Sequence, residues 1–507
     1  MDLQNEKCVM VIDEQLPLGI IANTAAIMGI TLGKEMPEVV GADVTDKTGN
    51  EHLGIVANGF MYFNGIQVIF SWILMFALYF VPYALMVGEL GSAFKNSSGG
   101  VSSWIQGTLG SKTAYYAGWT YWAVHVTYIA SKGSGGLKAL SWAVFRNAEV
   151  YDALPTLGIQ LATLAVFLIF CYIASRGMGV LKGITTLAGS TMFVMSILFI
   201  IMMFVAPIIN PNGGYVAMDF STRNLIPEFN VNYFTSLSIL VFAVGGCEKI
   251  SPYVNKVDKP SRNFPKGMIA LAVMVVVCAI LGTIAMGMMF DPAVINASTE
   301  SFNSYVSNGA YWAFQKVGEY FGVGDLFIVI YAICNAIGQF STLVISIDAP
   351  LRMLLGNDYA KDYIPSAMLK QNRHGAYING IKLVMVLSGS IILIQILVPG
   401  AAAVLAQLTK LNSVCMPMRY LWVFVAYIGL RKHMDTIPAE YRFVKNQKVA
   451  LFFGYWCMFV TAACCILGMY STDAFTMILN IVTPCVLAGL GMIMPYLAKK
   501  ERERAGK

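Results

Sequence analysis

Long runs without a charged side chain dominate the pattern of hydrophobic and polar positions along this chain. No Lys, Arg, Asp or Glu occurs in 183–218, 267–290, 326–347, 383–409 or 449–472. Each run is long enough to cross roughly 30 Å of hydrocarbon as a helix of about 20 residues. Transmembrane strands would instead need about ten residues of alternating polarity, and no such alternation is visible. The pattern therefore predicts membrane-spanning helices.

The apolar runs predict eleven clear crossings. Their expected bounds are 68–92, 113–145, 155–175, 181–209, 232–251, 266–290, 325–354, 381–399, 401–430, 449–471 and 474–497. The uncharged run at 53–88 is too long for one span and too short for two spans with a loop between them. It fits half a span followed by a full one.

Composition agrees with a lipid-embedded chain. Hydrophobic side chains make up 57% of the 507 residues and charged ones 12%, about half the charged fraction of a soluble globular protein. The ten cysteines are scattered, with neither metal-ligand spacing nor the pattern of a secreted disulfide scaffold. We expect neither a metal nor a cofactor. The N-terminus is acidic where a cleavable signal would be basic, so insertion is expected to depend on the internal spans.

Basic residues concentrate at one set of loop ends, and this asymmetry predicts the orientation. Only Arg146, Arg223 and Lys316 fall at the other set. We expect the basic side, and with it the C-terminus, to be cytoplasmic in a multi-pass protein of a bacterial cell membrane. The residues of the basic side are Arg176, Lys182, Lys249, Lys256, Lys259, Arg262, Lys266, Arg352, Lys361, Lys370, Arg373, Arg431, Lys432, Lys499 and Lys500.

The first 53 residues differ from the rest in charge. They contain nine acidic and three basic residues, whereas the whole chain carries a net charge of +6. Residues 7–33 and 49–54 resemble the opening of a small uncharacterised soluble family with a peptidyl-tRNA-hydrolase-like α/β fold. That resemblance implies a strand at 9–12 and a core helix at 19–32. The alternative is that 16–33 is itself a short first span, although about 18 residues are marginal for a bilayer.

The span at 232–251 contains a break. Gly245 and Gly246 are adjacent, and Glu248 follows them. Paired glycines cost roughly 1 kcal/mol each in a helix and release backbone groups that can face a ligand. Close helix packing through small residues is the competing interpretation. Other polar side chains in apolar surroundings are His125, Lys132, Asn335, Gln339 and Lys410. Of these, we interpret His125 as a packing histidine with its hydrogen bonds satisfied, and Lys132 and Lys410 as cavity-lining residues.

Several motifs carry a resemblance to a known transporter superfamily. Residues 246–248 with Asn255 and 260–265 strongly resemble the sixth-span signature of the amino acid, polyamine and organocation superfamily. Residues 80–94 and 99–104 look like the second span and following segment of its glutamate and γ-aminobutyrate antiporter branch. Residues 348–352 resemble the end of the eighth span, and 421–431 the tenth span. The resemblance covers the chain from about residue 54 onward.

This resemblance implies an all-α membrane protein of about 11 to 12 spans. It implies a five-plus-five inverted repeat with broken first and sixth spans, followed by two C-terminal helices, and no enzymatic activity. The substrate would bind at the two breaks. The residues implied there are Gly54, Ala57, Asn58, Phe242, Ala243, Val244, Gly245 and Gly246, with Glu248, Lys132 and Lys410 as coupling or gating candidates.

The expected function is secondary active transport of amino acids, or exchange of an amino acid for an amine. The expected partners are a small amino acid or amine and the lipid bilayer, and no nucleic acid. In this chain the apolar inner half of the first span is replaced by the acidic segment at 1–53. One alternative is therefore a transport-defective chimera of a permease and a soluble fragment. The other, an intramembrane enzyme, lacks any paired metal or nucleophile motif in the sequence.

Overall fold

A computed structural model describes most of the chain downstream of the acidic segment. The described residues are 60, 65–229, 233, 240–241, 245–257, 259–397, 418–469 and 474–505. The predictions for 1–53, for the first-span residues Gly54, Ala57 and Asn58, for Phe242, Ala243 and Val244, and for Lys410 lie outside these residues.

Helices make up most of the described part of the chain, which contains no strand, only an isolated bridge between Gln371 and Tyr377. The all-α class is confirmed. The longer helices are α1 (Gly65–Ala93), α2 (Val101–Leu109), α3 (Ser111–Phe145), α4 (Thr156–Ser175), α5 (Met178–Ile209), the 3₁₀ helix α6 (Cys247–Lys256), α7 (Pro260–Gly287), α8 (Thr299–Tyr320), α9 (Leu326–Leu355), α10 (Ile378–Leu397), α11 (Tyr420–Lys432), α12 (Gln447–Met469), α13 (Ala474–Leu490) and α14 (Ile493–Ala505).

Short helical turns connect these helices. They lie at Ala148–Asp152, Thr222–Leu225, Pro292–Ile295, Ala360–Tyr363 and Ser366–Leu369. Inside α1, residues Phe76–Phe80 form one π-helical turn. Such turns are rare and often occur at functional sites.

Eight helices in the described residues are long and apolar enough to cross a membrane. They correspond to α1, α4, α5, α7, α9, α10, α12 and the pair α13 and α14. Most bounds agree with the predicted spans within three residues, whereas α7 begins six residues earlier than predicted and α14 ends eight residues later. About half of each of the predicted spans at 232–251 and 401–430 lies outside the described residues. The remaining one, α3, is 35 residues long but carries Lys112, Lys132 and Lys138, which lower its hydropathy.

The helix α3 lies at the centre of the molecule despite these lysines, against α9. Glycines allow the close approach, because small residues let helix backbones meet. A Cβ on Gly136 would collide with the ring of Phe340, and one on Gly118 would press on the carbonyl oxygen of Met353. The polar helix packs against apolar ones, and its Lys132 and Lys138 side chains face the protein interior, whereas Lys112 at its start is exposed.

A similar approach joins α1 to α7. A Cβ on Gly91 would enter the ring of Phe264, and one on Gly88 would lie 3.3 Å from the Cα of Pro265. These two helices flank α6, so the second half of α1 is placed beside the predicted break at Gly245 and Gly246.

Candidate functional site

The backbone turns sharply at the predicted break. Gly246 has φ = 113°, a left-handed conformation that side chains with a Cβ rarely adopt. The 3₁₀ helix α6 begins at the next residue, and the amide of Lys249 donates to the Gly246 carbonyl at 3.0 Å. Gly245 lies directly under the ring of Tyr420, so a Cβ at this position would overlap the ring. The paired glycines thus serve both a turn and a close packing contact.

Glu248 points from α6 into the interior and is fully buried. The hydroxyl of Tyr83, on α1, donates to its Oε2 atom. The Nε atom of Arg419, which immediately precedes α11, lies 3.7 Å from its Oε1 atom. Three separate segments therefore converge on one carboxylate.

Arg419 is itself 1% exposed. Its Nη1 donates to Nε2 of His125 at 3.0 Å, and Nδ1 of His125 donates to the Tyr121 carbonyl at 2.6 Å. The guanidinium also lies 5.3 Å from the centre of the Tyr121 ring and 5.2 Å from that of Tyr420. Aromatic faces attract a cation at such distances, so the charge is held among rings.

Two buried lysines extend this charged cluster. The Nζ of Lys132 is 4.7 Å and that of Lys249 5.2 Å from the centre of the Tyr128 ring, and His125 contacts the edge of the same ring. Lys249, expected at a loop end, is instead 2% exposed. The prediction that Lys132 lines a cavity stays a prediction. In the structure, Lys132 contacts the same Tyr128 ring as His125, and His125 bonds to Arg419.

Two further ion pairs fix the helices around the site. Arg431 Nη2 donates to Glu89 Oε2 at 2.5 Å, and the Phe443 amide donates to the same oxygen at 2.9 Å. In α9, Asp348 and Arg352 pair at 2.5 Å. Tyr253 of α6 donates to the same Asp348 oxygen at 2.7 Å, which ties the end of the broken segment to α9.

The structure thus brings together Gly245, Gly246 and Glu248 and adds residues that the sequence reasoning missed, chiefly Arg419 and Tyr83. His125 has its hydrogen bonds satisfied, as we interpreted it, and also contacts Arg419, which the sequence did not reveal. Asn335 and Gln339 lie apart from this cluster, and Gln339 Nε2 donates to Asn335 Oδ1 at 3.3 Å. In the described residues, no group of three or more His, Cys, Asp or Glu side chains could hold a metal ion.

Comparison with protein families divides the chain into two regions. A family model described as amino acid permease matches residues 44–490. A second model, described as a protein of unknown function (DUF2000), matches residues 6–68. The two matches overlap between 44 and 68, the region in which the sequence changes character.

Individual relatives agree with the first match. The aspartate/glutamate permease AcaP of Lactococcus lactis subsp. cremoris is 44% identical over 89% of this chain and 93% of its own length. The inner membrane transporter YjeM of Salmonella typhimurium is 25% identical over 74% of this chain. A glutamate/gamma-aminobutyrate antiporter of L. lactis is 22% identical over 42% of this chain.

Proposed function

Because this chain belongs to the amino acid permease family, we propose that it carries acidic amino acids across a membrane by secondary transport at the break around Gly245 and Gly246. One observation supports this site above others. The turn at Gly246 places Glu248 in contact with both Tyr83 and Arg419 at a backbone break inside the protein, where freed backbone groups can face a substrate.

The substrate class follows from the most extensive similarity described above. A relative that is 44% identical over nearly its whole length is named as an aspartate/glutamate permease. The antiporter is similar over less than half of the chain, so it supports exchange as a mode of transport more weakly. We propose aspartate and glutamate as substrates and exchange as one mode.

The amino and carboxylate groups of the substrate would meet the two helix breaks. Exposed amides and the positive ends of half-helices attract a carboxylate, and freed carbonyls accept from the amino group. We assign the sixth-span part of this site to 242–246 and the first-span part to Gly54, Ala57 and Asn58. Glu248 is the coupling or gating residue, with Lys132 and Lys410 as further candidates.

A second function, a chimera that transports poorly, is favoured by the overlap of the two family matches between 44 and 68. We place the domain boundary near Gly54, with a soluble-like segment at 1–53. Glu35, Glu38 and Glu51 would each cost about 2.5 to 3.5 kcal/mol to bury at the centre of a membrane helix. Residues 34–53 therefore cannot seal the inner half of a first span.

The excess of basic residues at one set of loop ends supports a cytoplasmic C-terminus. Of these residues, Lys249 and Arg431 are buried within the protein, whereas Lys432 and Lys499 are exposed and can lie in the cytoplasm. The orientation can be tested by replacing Lys499 and Lys500 with cysteine. The measurement is whether an impermeant thiol reagent reaches these cysteines from the cytoplasmic side.

The test of function compares two forms of the protein in proteoliposomes. One is the unaltered protein of 507 residues. In the other, residues 1–53 are replaced by a Lys-rich start and about 15 apolar residues, enough for half a span. Uptake of radiolabelled L-aspartate, L-glutamate and γ-aminobutyrate is measured at matched protein content, with and without internal amino acid.

We expect the form with the replaced N-terminus, the repaired form, to transport an acidic amino acid. The unaltered protein should transport it poorly or not at all. Equal uptake would show that the acidic segment substitutes for the missing half-helix. No movement of any amino acid by either form would exclude the proposed function.

A further inference from the structure

The guanidinium of Arg419 is incompletely bonded for a buried charge. Its Nη1 donates to His125 and the guanidinium interacts with the side chain of Tyr420, but its Nε and Nη2 atoms have no described acceptor at hydrogen-bond distance and angle. These two atoms form one edge of the planar guanidinium, the edge that matches a carboxylate bidentately. Burial of such donors without an acceptor is costly.

Glu248 does not satisfy that edge. Its Oε2 is occupied by the Tyr83 hydroxyl, and its Oε1 is 3.7 Å from Arg419 Nε. A charge-assisted N–H···O bond is about 2.7 to 2.9 Å long. The two groups attract each other, but the carboxylate is not seated in the fork.

The second buried pair of this kind shows the difference. Arg431 donates through Nε to the Tyr427 hydroxyl at 3.1 Å and through Nη2 to Glu89 at 2.5 Å. Its nitrogens all have partners, as expected of a cation with a purely structural role. Arg419 immediately precedes α11 and Arg431 lies near its end, and both are 1% exposed. The open edge is therefore a property of the Arg419 site and not of buried arginines in this region.

The shape of the open edge also favours a carboxylate. Two parallel N–H donors of a guanidinium match the two oxygen atoms of one carboxylate. A zwitterion with an uncharged side chain offers no carboxylate to this edge once its main chain is bound at the helix breaks. An amino acid with a carboxylate side chain supplies one.

We infer that Arg419 binds the side-chain carboxylate of a dicarboxylic amino acid, and that Glu248 is its counter-ion when no substrate is present. This inference rests on the proposed function. The main-chain groups of the substrate are assigned to the helix breaks, which leaves the side chain to reach α11. Tyr420, packed on Gly245 and adjacent to Arg419 in the chain, fixes the distance between the break and the guanidinium.

The experiment measures equilibrium binding to the purified full chain in detergent. The ligands are tritiated L-aspartate and L-glutamate and their neutral isosteres, L-asparagine and L-glutamine. We expect the acidic ligands to bind about 10- to 150-fold more tightly than the amides, the range for a hydrogen bond to a charged group. Arg419→Lys should reduce this ratio, because lysine keeps the charge but lacks the planar fork that holds both carboxylate oxygens.

Arg431→Lys is the matched control. It makes the same substitution at an equally buried arginine outside the site, so it should lower thermal stability and keep the binding ratio. If Arg419→Lys does not fold, Glu248→Gln decides the question. Removing the resident counter-ion should raise the ratio of acidic to amide affinity, and a lower ratio would overturn the inference.

The outcomes separate the two claims. Binding of amino acids with no acidic preference, or an unchanged ratio in folded Arg419→Lys, would exclude the role of Arg419 and leave the proposed function standing. Absence of binding by the chain, together with absence of uptake by the repaired form, would exclude both.

Discussion

Replacement of Tyr83 by Phe isolates one hydroxyl of the site. Tyr83 is fully buried, and its hydroxyl donates to Glu248. One helical turn earlier, the equally buried Tyr79 shares a 2.7 Å hydrogen bond with the hydroxyl of Thr461. Tyr79→Phe is therefore a matched control, since each substitution removes one oxygen atom from α1 and keeps the ring.

The two hydrogen bonds differ in the charge of the partner. A neutral pair contributes about 0.5 to 1.5 kcal/mol, whereas a bond to a charged group contributes about 1.5 to 3 kcal/mol. Without the Tyr83 hydroxyl, the Glu248 carboxylate is free to move the short remaining distance to Arg419. It would then compete with a substrate carboxylate for Arg419. We take the cost to substrate binding to equal the lost hydrogen bond, about 1.5 to 3 kcal/mol, which corresponds to about 10- to 150-fold weaker binding of an acidic substrate.

Affinity for L-aspartate and thermal unfolding should be measured on both purified variants. We expect Tyr79→Phe to lose a small amount of stability and to keep its affinity. Tyr83→Phe should lose affinity for acidic ligands far more than for their amides. If the two variants have the same affinity, Glu248 is not positioned by Tyr83 and the reasoning is wrong.

Three further substitutions test other parts of the site and the ion pair beside it. Gly245→Ala should displace the Tyr420 ring at about 1 to 3 kcal/mol, the usual cost of overpacking, and transport assays should show a lower rate; an unchanged rate would place the substrate elsewhere. Glu248→Gln should reduce transport in proteoliposomes with membrane insertion preserved, whereas a residue that only packs would leave rate and pH dependence alone. Arg431→Met should lower the free energy of unfolding by about 3 to 5 kcal/mol, because Glu89 stays buried without its cation; a thermal shift close to zero would contradict this.

The helices were largely predictable, because hydrocarbon admits only long apolar runs with satisfied backbones. Local departures from the α-helix were not. The π-helical turn at Phe76–Phe80 and the 3₁₀ form of Cys247–Lys256 depend on which backbone carbonyl each amide selects, and hydropathy is the same in all three helix types. The 35-residue α3 was predicted as the span at 113–145, although its lysines lower its hydropathy below that of the other spans.

The site was predictable only in part. Gly245, Gly246 and Glu248 are adjacent in sequence, so one motif revealed all three. Arg419 was missed because the run at 401–430 was interpreted as an ordinary span with a basic end. A usable signal was present, since an arginine within an apolar span is a functional hypothesis by default. The partner Tyr83 is 165 residues from Glu248, and nothing in a single sequence reports a contact at that separation.

The pairing of Glu89 with Arg431 has a consequence for biosynthesis. The two residues are 342 positions apart, and the other donors to this carboxylate, Tyr427 and Phe443, are also in the last part of the chain. At about 5 to 20 residues per second, the ribosome needs roughly 17 to 70 s to reach the arginine after making the glutamate. During that interval α1 is already available for insertion, with a carboxylate that has none of its described partners. The closing of this pair is thus one of the last events of assembly, and any nascent chain that stops before Arg431 keeps that carboxylate unmatched.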